Sequence, residues 1–240
     1  MMTVNVSQMG YQSVNEQLRQ TPGDAVLTDC CGQRFIAAGF SNKNILIHGV
    51  PGNALGAYLN GAEITVYGNA QDAVGDTMNN GKIIVHGNIG DAAGYAMRGG
   101  AIYVKGDAGY RTGIHMKEYK DKKPVIVIGG KCGSFLGEYQ AGGIIIVLGL
   151  TENDREMIRD FPCTGMHGGK VFLRTTPEQL TLPNNVTAIS ASAQDLEEIQ
   201  PYLREFCAHF GYPIETITNS PFTKIEPDSK NPYKQMYVAN

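Results

Sequence analysis

Across 240 residues, 20 Lys and Arg stand against 23 Asp and Glu, a formal net charge of −3 that offers no basic surface for nucleic acid. The longest apolar run, residues 144–150, is too short to cross a bilayer and contains Gly149, so no membrane partner is expected. No basic-then-apolar leader opens the sequence, and a cytoplasmic location is the expectation.

Residues 1–29 lack internal repetition and are expected to form an N-terminal cap, with a short amphipathic stretch near residues 13–19. The next segment, 30–174, is periodic. Gly49, Gly68, Gly87 and Gly106 stand nineteen residues apart, and Gly56, Gly75, Gly94 and Gly113 follow each of them by seven. With the first glycine of a unit counted as position 0, positions 15 and 17 are aliphatic: Ile45/Ile47, Ile64/Val66, Ile83/Val85, Ile102/Val104. Position 10 is Leu59, Met78, Met97, Met116 and then Gln140. Position 16 varies through Thr65, Ile84, Tyr103 and Ile146. Alternation of this kind describes a short strand with one face buried. A fixed period describes identical units stacked in parallel. The glycines are read as corner residues with positive φ.

Nineteen is not a multiple of six, and neither the G-G-x-G-x-D roll signature nor a leucine-rich pattern occurs. The expected fold is therefore an all-β solenoid, a right-handed parallel β-helix of about seven coils. Two insertions break the period, at residues 117–123 and 149–155. Residues 175–240 are expected to form a C-terminal helical cap and an extended tail. Ser192 to Asp195 resembles a capping box, and Leu196, Ile199, Leu203, Phe206 and Phe210 follow at helical spacing. Gly211 and Pro213 end that helix, while Pro201 is expected to kink it or mark a restart. From residue 214 onward there is no periodicity, which reads as an extended segment on a surface.

Chemistry is sparse. Cys30, Cys31, Cys132, Cys163 and Cys207 are odd in number and show no C-x-x-C spacing, so reduced, mostly buried thiols are expected. Gly87–Gly90 and Gly106–Gly109 mimic phosphate loops, but a strand-and-turn unit follows each where a helix would be needed. His48 and His86 fall two coils apart with Tyr67 between, roughly 9.6 Å, too far to share a zinc ion. His167 sits in a tight turn, and no serine has a nucleophile-elbow context. No catalytic, cofactor or metal residue is assigned. The segment 109–124 stands apart because it gathers Arg111, His115, Lys117 and Tyr119 on one coil and its inserted loop, a candidate docking surface. Apolar residues at position 16, taken as exposed on the outward face, point the same way.

Several segments resemble the C-terminal β-helical domain of the glutamate synthase large subunit: Gly52–Gly56, Met78–Gly81, Met97–Gly100, 109–119, Gly137–Tyr139, Gly165–Gly169, and the tail Phe222–Ile225 with Pro227, Ser229 and Pro232-Tyr233. One of the subunits of formylmethanofuran dehydrogenase shares the glycine motif; the tail and segment 109–119 favour the glutamate synthase type. Gln140-Ala141 and Cys163 depart from the usual Met-Ala and Gly. The resemblance implies a non-catalytic, free-standing structural subunit that holds a glutamine amidotransferase subunit and an FMN/iron–sulfur synthase subunit in register. FMN and iron–sulfur clusters would then belong to the partners, with no cofactor in this chain, and a homo-oligomer is compatible with it. The alternatives are the equivalent subunit of an N-methylglutamate synthase or of formylmethanofuran dehydrogenase, and an independent β-helical carbohydrate-active enzyme.

Overall fold

A computed structural model describes residues 1–229. Nine strands run parallel in chain order in one sheet: β1 (Met2–Asn5), β2 (Ala25–Cys31), β3 (Asn44–Val50), β4 (Asn60–Tyr67), β5 (Asn80–Val85), β6 (Ala101–Val104), β7 (Val125–Ile128), β8 (Ala141–Val147) and β9 (Gly168–Leu173). Successive strands are joined by one coil each, so the solenoid has eight turns. Seven of them span the periodic segment, and the eighth comes from β1, inside residues expected only to cap. Two further strands, β10 (Val186–Ser190) and β11 (Thr223–Pro227), close the sheet in antiparallel sense, with β11 between β9 and β10. Among the described residues no helix is long and apolar enough to cross a membrane.

The register places like on like. Ile45, Ile64, Ile83, Ile102, Ile126 and Ile145 pair in succession, ending on Val171. These side chains are fully buried and fill the coil interior. Both insertions leave the register untouched, since Ile102 still faces Ile126 and Ile145 still faces Val171. Extra residues are expelled as loops because a one-residue slip would turn the interior face outward.

Two kinds of glycine serve this stack. Gly75 has φ +69 as expected, and a Cβ there would lie 2.6 Å from Ile102 Cδ1 of the next coil. Gly106 has no positive φ, contrary to the corner reading; a Cβ there would lie 2.1 Å from Asn88 Oδ1. That oxygen accepts the Asp107 N–H at 2.8 Å, one rung of a ladder continued by Asn69 Oδ1 to Asn88 N (2.8 Å) and Asp107 Oδ1 to Lys131 N (2.9 Å). A second ladder links Asn53, Asp72 and Asp91 to the amides of Asp72, Asp91 and Tyr110. Thr151 donates to Asp107 at 2.7 Å, and Lys131 Nζ donates to the carbonyls of Asn153 and Arg155, which ties the second insertion to the ladder's end.

A second core corrects the reading of position 16. Ile84, Tyr103, Val127, Ile146 and Phe172 do point outward, but they are buried against Ile199, Leu203, Phe206 and Phe210 of α2 (Ala193–Phe210). The chain's own helix covers this face, so it is closed to a partner. A capping box at Ser192 and Asp195 starts α2, and Gly211 ends it with φ +75. Pro201 neither breaks the helix nor restarts it. It is exposed, as is Glu197 four residues earlier, so the unbonded Glu197 carbonyl meets solvent. The segment read as an extended tail forms a short helix, α3 (Ile214–Thr218), and then β11; residues 230–240, including Pro232 and Tyr233, lie outside the described residues.

The first turn is closed by α1 (Tyr11–Gln20), whose Val14 and Leu18 enter the interior core. In later coils the position-7 amide bonds the preceding coil, as Gly56 N–H does to Ile36 O at 2.9 Å. Ala37 holds that position in the second turn, and the turn before it carries the helix α1 in place of a turn column. Asn15 substitutes: its Oδ1 accepts the Ala37 N–H at 2.8 Å, and its Nδ2 donates to Phe35 O at 2.8 Å. Asn15→Ala strands a buried amide and should cost about 1–3 kcal/mol, read as a lower denaturant midpoint with unchanged slope.

Candidate functional site

Groups that could carry chemistry are put out of reach. All five cysteines are free, and only Cys31 is exposed. Burial pushes the Cys30 thiol up to about 11 against a weaker downward pull from Gln33, and pushes Cys163 up to about 12. Burial raises Cys132 and Cys207 as well. These are neutral packing groups rather than nucleophiles. His48, Tyr67 and His86 stack ring on ring at 5.1 and 4.8 Å, and His86 abuts the edge of Phe210 on α2 at 5.1 Å. Burial, then Lys105 and His209, lowers the His86 pKa, which favours the neutral ring of a packed column. Among the described residues no three His, Cys, Asp or Glu side chains converge as metal ligands would.

The polar clusters clamp α2 to the sheet. Tyr103 Oη donates to Glu205 Oε2 at 2.7 Å, and Lys82 binds the other oxygen. Glu198 bridges Lys123 (3.0 Å) and Lys170 (2.7 Å). Lys224 of β11 reaches Asp195 at 2.9 Å. Burial alone would raise the Asp195 carboxyl; the Ser192 hydroxyl, the Lys224 ammonium and the Ser192 N–H outweigh it and hold it at about 2. Glu198 and Glu205 are likewise lowered, burial being overcome by Lys170 and Lys123 in one case and by Lys82 and Tyr103 in the other. Depressed carboxyls stabilise fully above the unfolded value near ~4 and lose that contribution as pH falls through the folded values. Thermal midpoints should therefore drop between about pH 4 and pH 2, and Asp195→Asn should flatten the lower part of that decline while costing about 1 kcal/mol at neutral pH.

What remains accessible is the turn face, opposite in chemistry. Here the backbone takes positive φ at positions 5 and 9 in non-glycine residues: Ala54, Ala73 and Ala92, then Arg111, Phe135 and Phe161 at position 5, with Tyr58, Thr77, Ala96, His115 and Tyr139 at position 9. Their amides bond forward to the next coil, as Arg111 N–H to Ser134 O and His115 N–H to Glu138 O, both 2.9 Å. The Arg111 guanidinium lies 4.8 Å from the Phe135 ring centroid and donates to Glu138 at 3.0 Å. Phe135 stacks on Phe161 at 5.3 Å; His115 stacks on Tyr139 at 5.1 Å and meets Tyr95 edge-on at 6.0 Å.

Of the four sequence candidates, Arg111 and His115 thus share one turn, joined through Glu138. Lys117 and Tyr119 lie in the following loop, where Lys117 N–H bonds Met97 O and Tyr119 pairs with Lys122 through two main-chain bonds. Among the described residues no hydrogen bond or ring contact joins them to Arg111 or His115. Phe135, Tyr139 and Phe161 escaped sequence reading, although the change from alanine to aromatic at one position of the repeat carried the signal. At the last coil the columns reach a cleft of ≈ 640 Å³ lined by Met157, Phe161, Pro162, Leu180, Leu182 and neighbours.

The GXGXG motif family matches residues 11–227. An uncharacterised protein of Methanocaldococcus jannaschii, MJ1350, is 45% identical over 251 aligned positions that cover 99% of this chain and 96% of that protein. The match runs from α1 through β11 and takes in the coils, the clamp of α2 and the turn columns alike, so the chain belongs to the GXGXG motif family, the glycine-repeat domain of the glutamate synthase C-terminus.

Proposed function

We propose that this chain is a non-catalytic structural subunit of a split glutamate synthase. It holds a glutamine amidotransferase subunit and an FMN/iron–sulfur synthase subunit in register for glutamine-dependent glutamate formation, in the cytoplasm. The observation that carries the reading is the family match over residues 11–227, joined to buried thiols in four of the five cysteines and to carboxylates of α2 that serve as clamps. The flavin and the clusters reside in the partners. Arg111, His115, Lys117 and Tyr119 contribute to docking. An independent carbohydrate-active solenoid is disfavoured, because the outward strand face where a polysaccharide groove would run is filled by α2. The equivalent place in an N-methylglutamate synthase or a formylmethanofuran dehydrogenase differs in substrate, not in mode of action.

Reconstitution separates these readings. The purified chain should show neither glutaminase nor flavin-dependent turnover. Amidotransferase and synthase subunits co-expressed from neighbouring genes should form glutamate from glutamine and 2-oxoglutarate only when this chain is present. Turnover by the isolated chain, or full glutamine-dependent activity in its absence, would refute the proposal; methylamine or a furan-methylamine carbon carrier as the preferred substrate would reassign the assembly.

A further inference from the structure

Large side chains on the turn face stand where they cost backbone energy, and they stack only on one another along the column. Arg111, Phe135 and Phe161 adopt φ of 57°, 63° and 57° at a position held by alanine in the three coils before them and, in the coil before those, by Phe35 (φ 54°), whose ring packs on Tyr11 of α1 at 5.8 Å. Positive φ is strained for bulky residues, and strain retained at an exposed site points to function. Phe161 is 63% exposed and Tyr95 42%, so burial within the chain does not explain them. Arg and aromatic residues together are the composition of interface hot spots.

The columns also end unfinished. Phe135 N–H bonds Asp160 O at 2.9 Å and Tyr139 N–H bonds Thr164 O at 2.8 Å. Phe161 and Gly165 take the same places in the last coil with the same positive φ, and among the described residues no carbonyl receives their N–H groups. These two main-chain donors stand in the last coil of the columns, where Phe161 lines the cleft together with Met157, Leu180 and Leu182 and with the charged Glu156, Arg159 and Asp160. The inserted loop adds charge. Lys117, Lys120 and Lys122 form no ion pair among the described residues, while Glu118 is turned to the Gly143 N–H at 3.0 Å.

We propose that the C-terminal end of the turn columns is the docking surface for an acidic segment of a partner protein. One apolar side chain of that segment enters the cleft against Phe161, its carbonyls accept from Phe161 and Gly165, and its carboxylates meet Arg111, Lys117, Lys120 and Lys122. This deepens the scaffold reading and rests on it.

The test uses the full chain co-expressed with the two subunits. Phe161→Ser should weaken capture of one subunit at least about tenfold with an unchanged thermal midpoint, since the ring is exposed. Raising salt from about 0.05 M to about 0.5 M should weaken the wild-type complex by a similar factor, and Arg111→Ala/His115→Ala/Lys117→Ala should remove most of that dependence. Zero-length carbodiimide coupling of the wild-type complex, which needs no variant, should join Lys117, Lys120 or Lys122 to Asp or Glu of that same subunit. If the wild-type chain captures neither subunit, the scaffold reading fails and the docking surface with it. If capture is normal but indifferent to Phe161→Ser and to salt, or the couplings run to a second copy of this chain, the docking surface alone is overturned. Capture that strengthens when residues 230–240 are removed would assign the cleft to the chain's own terminus and overturn it too.

Discussion

Main-chain bonding between equivalent residues of successive coils is the constraint on which everything else rests. It operates at three places in a turn: the parallel strand ladder, the bridges that link Ala70, Ile89, Ala108, Cys132 and Ile158, and the turn columns, where amides at alternating positions bond forward and backward. All three demand that each coil repeat the path of the one before. That demand explains the glycines better than local conformation does. Gly75 needs both its positive φ and its empty space, whereas Gly106 needs only the space, because the Asn88 side chain passes where a Cβ would stand. It also explains why insertions are tolerated only at corners and are then tied back, as residues 149–155 are to Asp107 and Lys131.

A stack built this way has few surfaces left over. Its interior is filled by aliphatic ladders and neutral thiols. One outward face carries large apolar side chains, and a solenoid of this length could have offered it to a partner. The chain covers it with α2 instead, fastened by Glu205, Glu198 and Asp195 to lysines of the strands and the inserted loop. The turn face is left free of that helix, and its aromatic and charged side chains are among those exposed.

Periodicity made the coils legible. Aliphatic pairs nineteen residues apart determined strand, register and interior, and helical spacing from Leu196 to Phe210 located α2 between its Ser192 cap and Gly211. What periodicity could not reveal was partnership across long separations. Nothing in the spacing of Ile199 and Phe206 says which apolar face they bury, so the position-16 side chains read as exposed when they are sheathed. The strand β11 was hidden for a related reason, since five residues without repetition become a strand only because β9 offers an unpaired edge. At the candidate site Arg111 and His115 stood out by chemical type, whereas Phe135 and Phe161 became significant only when the coils were stacked and their rings aligned.

The two ends of the solenoid solve one problem differently. Every coil bonds forward and backward, so the first and last must leave donors and acceptors without a neighbour, and buried unmet groups are costly. At the first turn the need is met inside the chain: α1 replaces the turn columns, and its Asn15 side-chain amide bonds Ala37 N–H and Phe35 O as a peptide group would. At the last turn β11 and β10 complete the strand ladder, yet the turn columns stop at Phe161 and Gly165 with their amides directed outward. An asparagine serves here too, Asn185 Nδ2 donating to the Cys163 carbonyl at 3.2 Å, but it leaves those two N–H groups unmet. Position-5 rings with positive φ stand near both ends, but Phe35 packs on Tyr11 of α1, whereas Phe161 stays exposed beside a cleft in a coil where two main-chain N–H groups meet no carbonyl of the described residues.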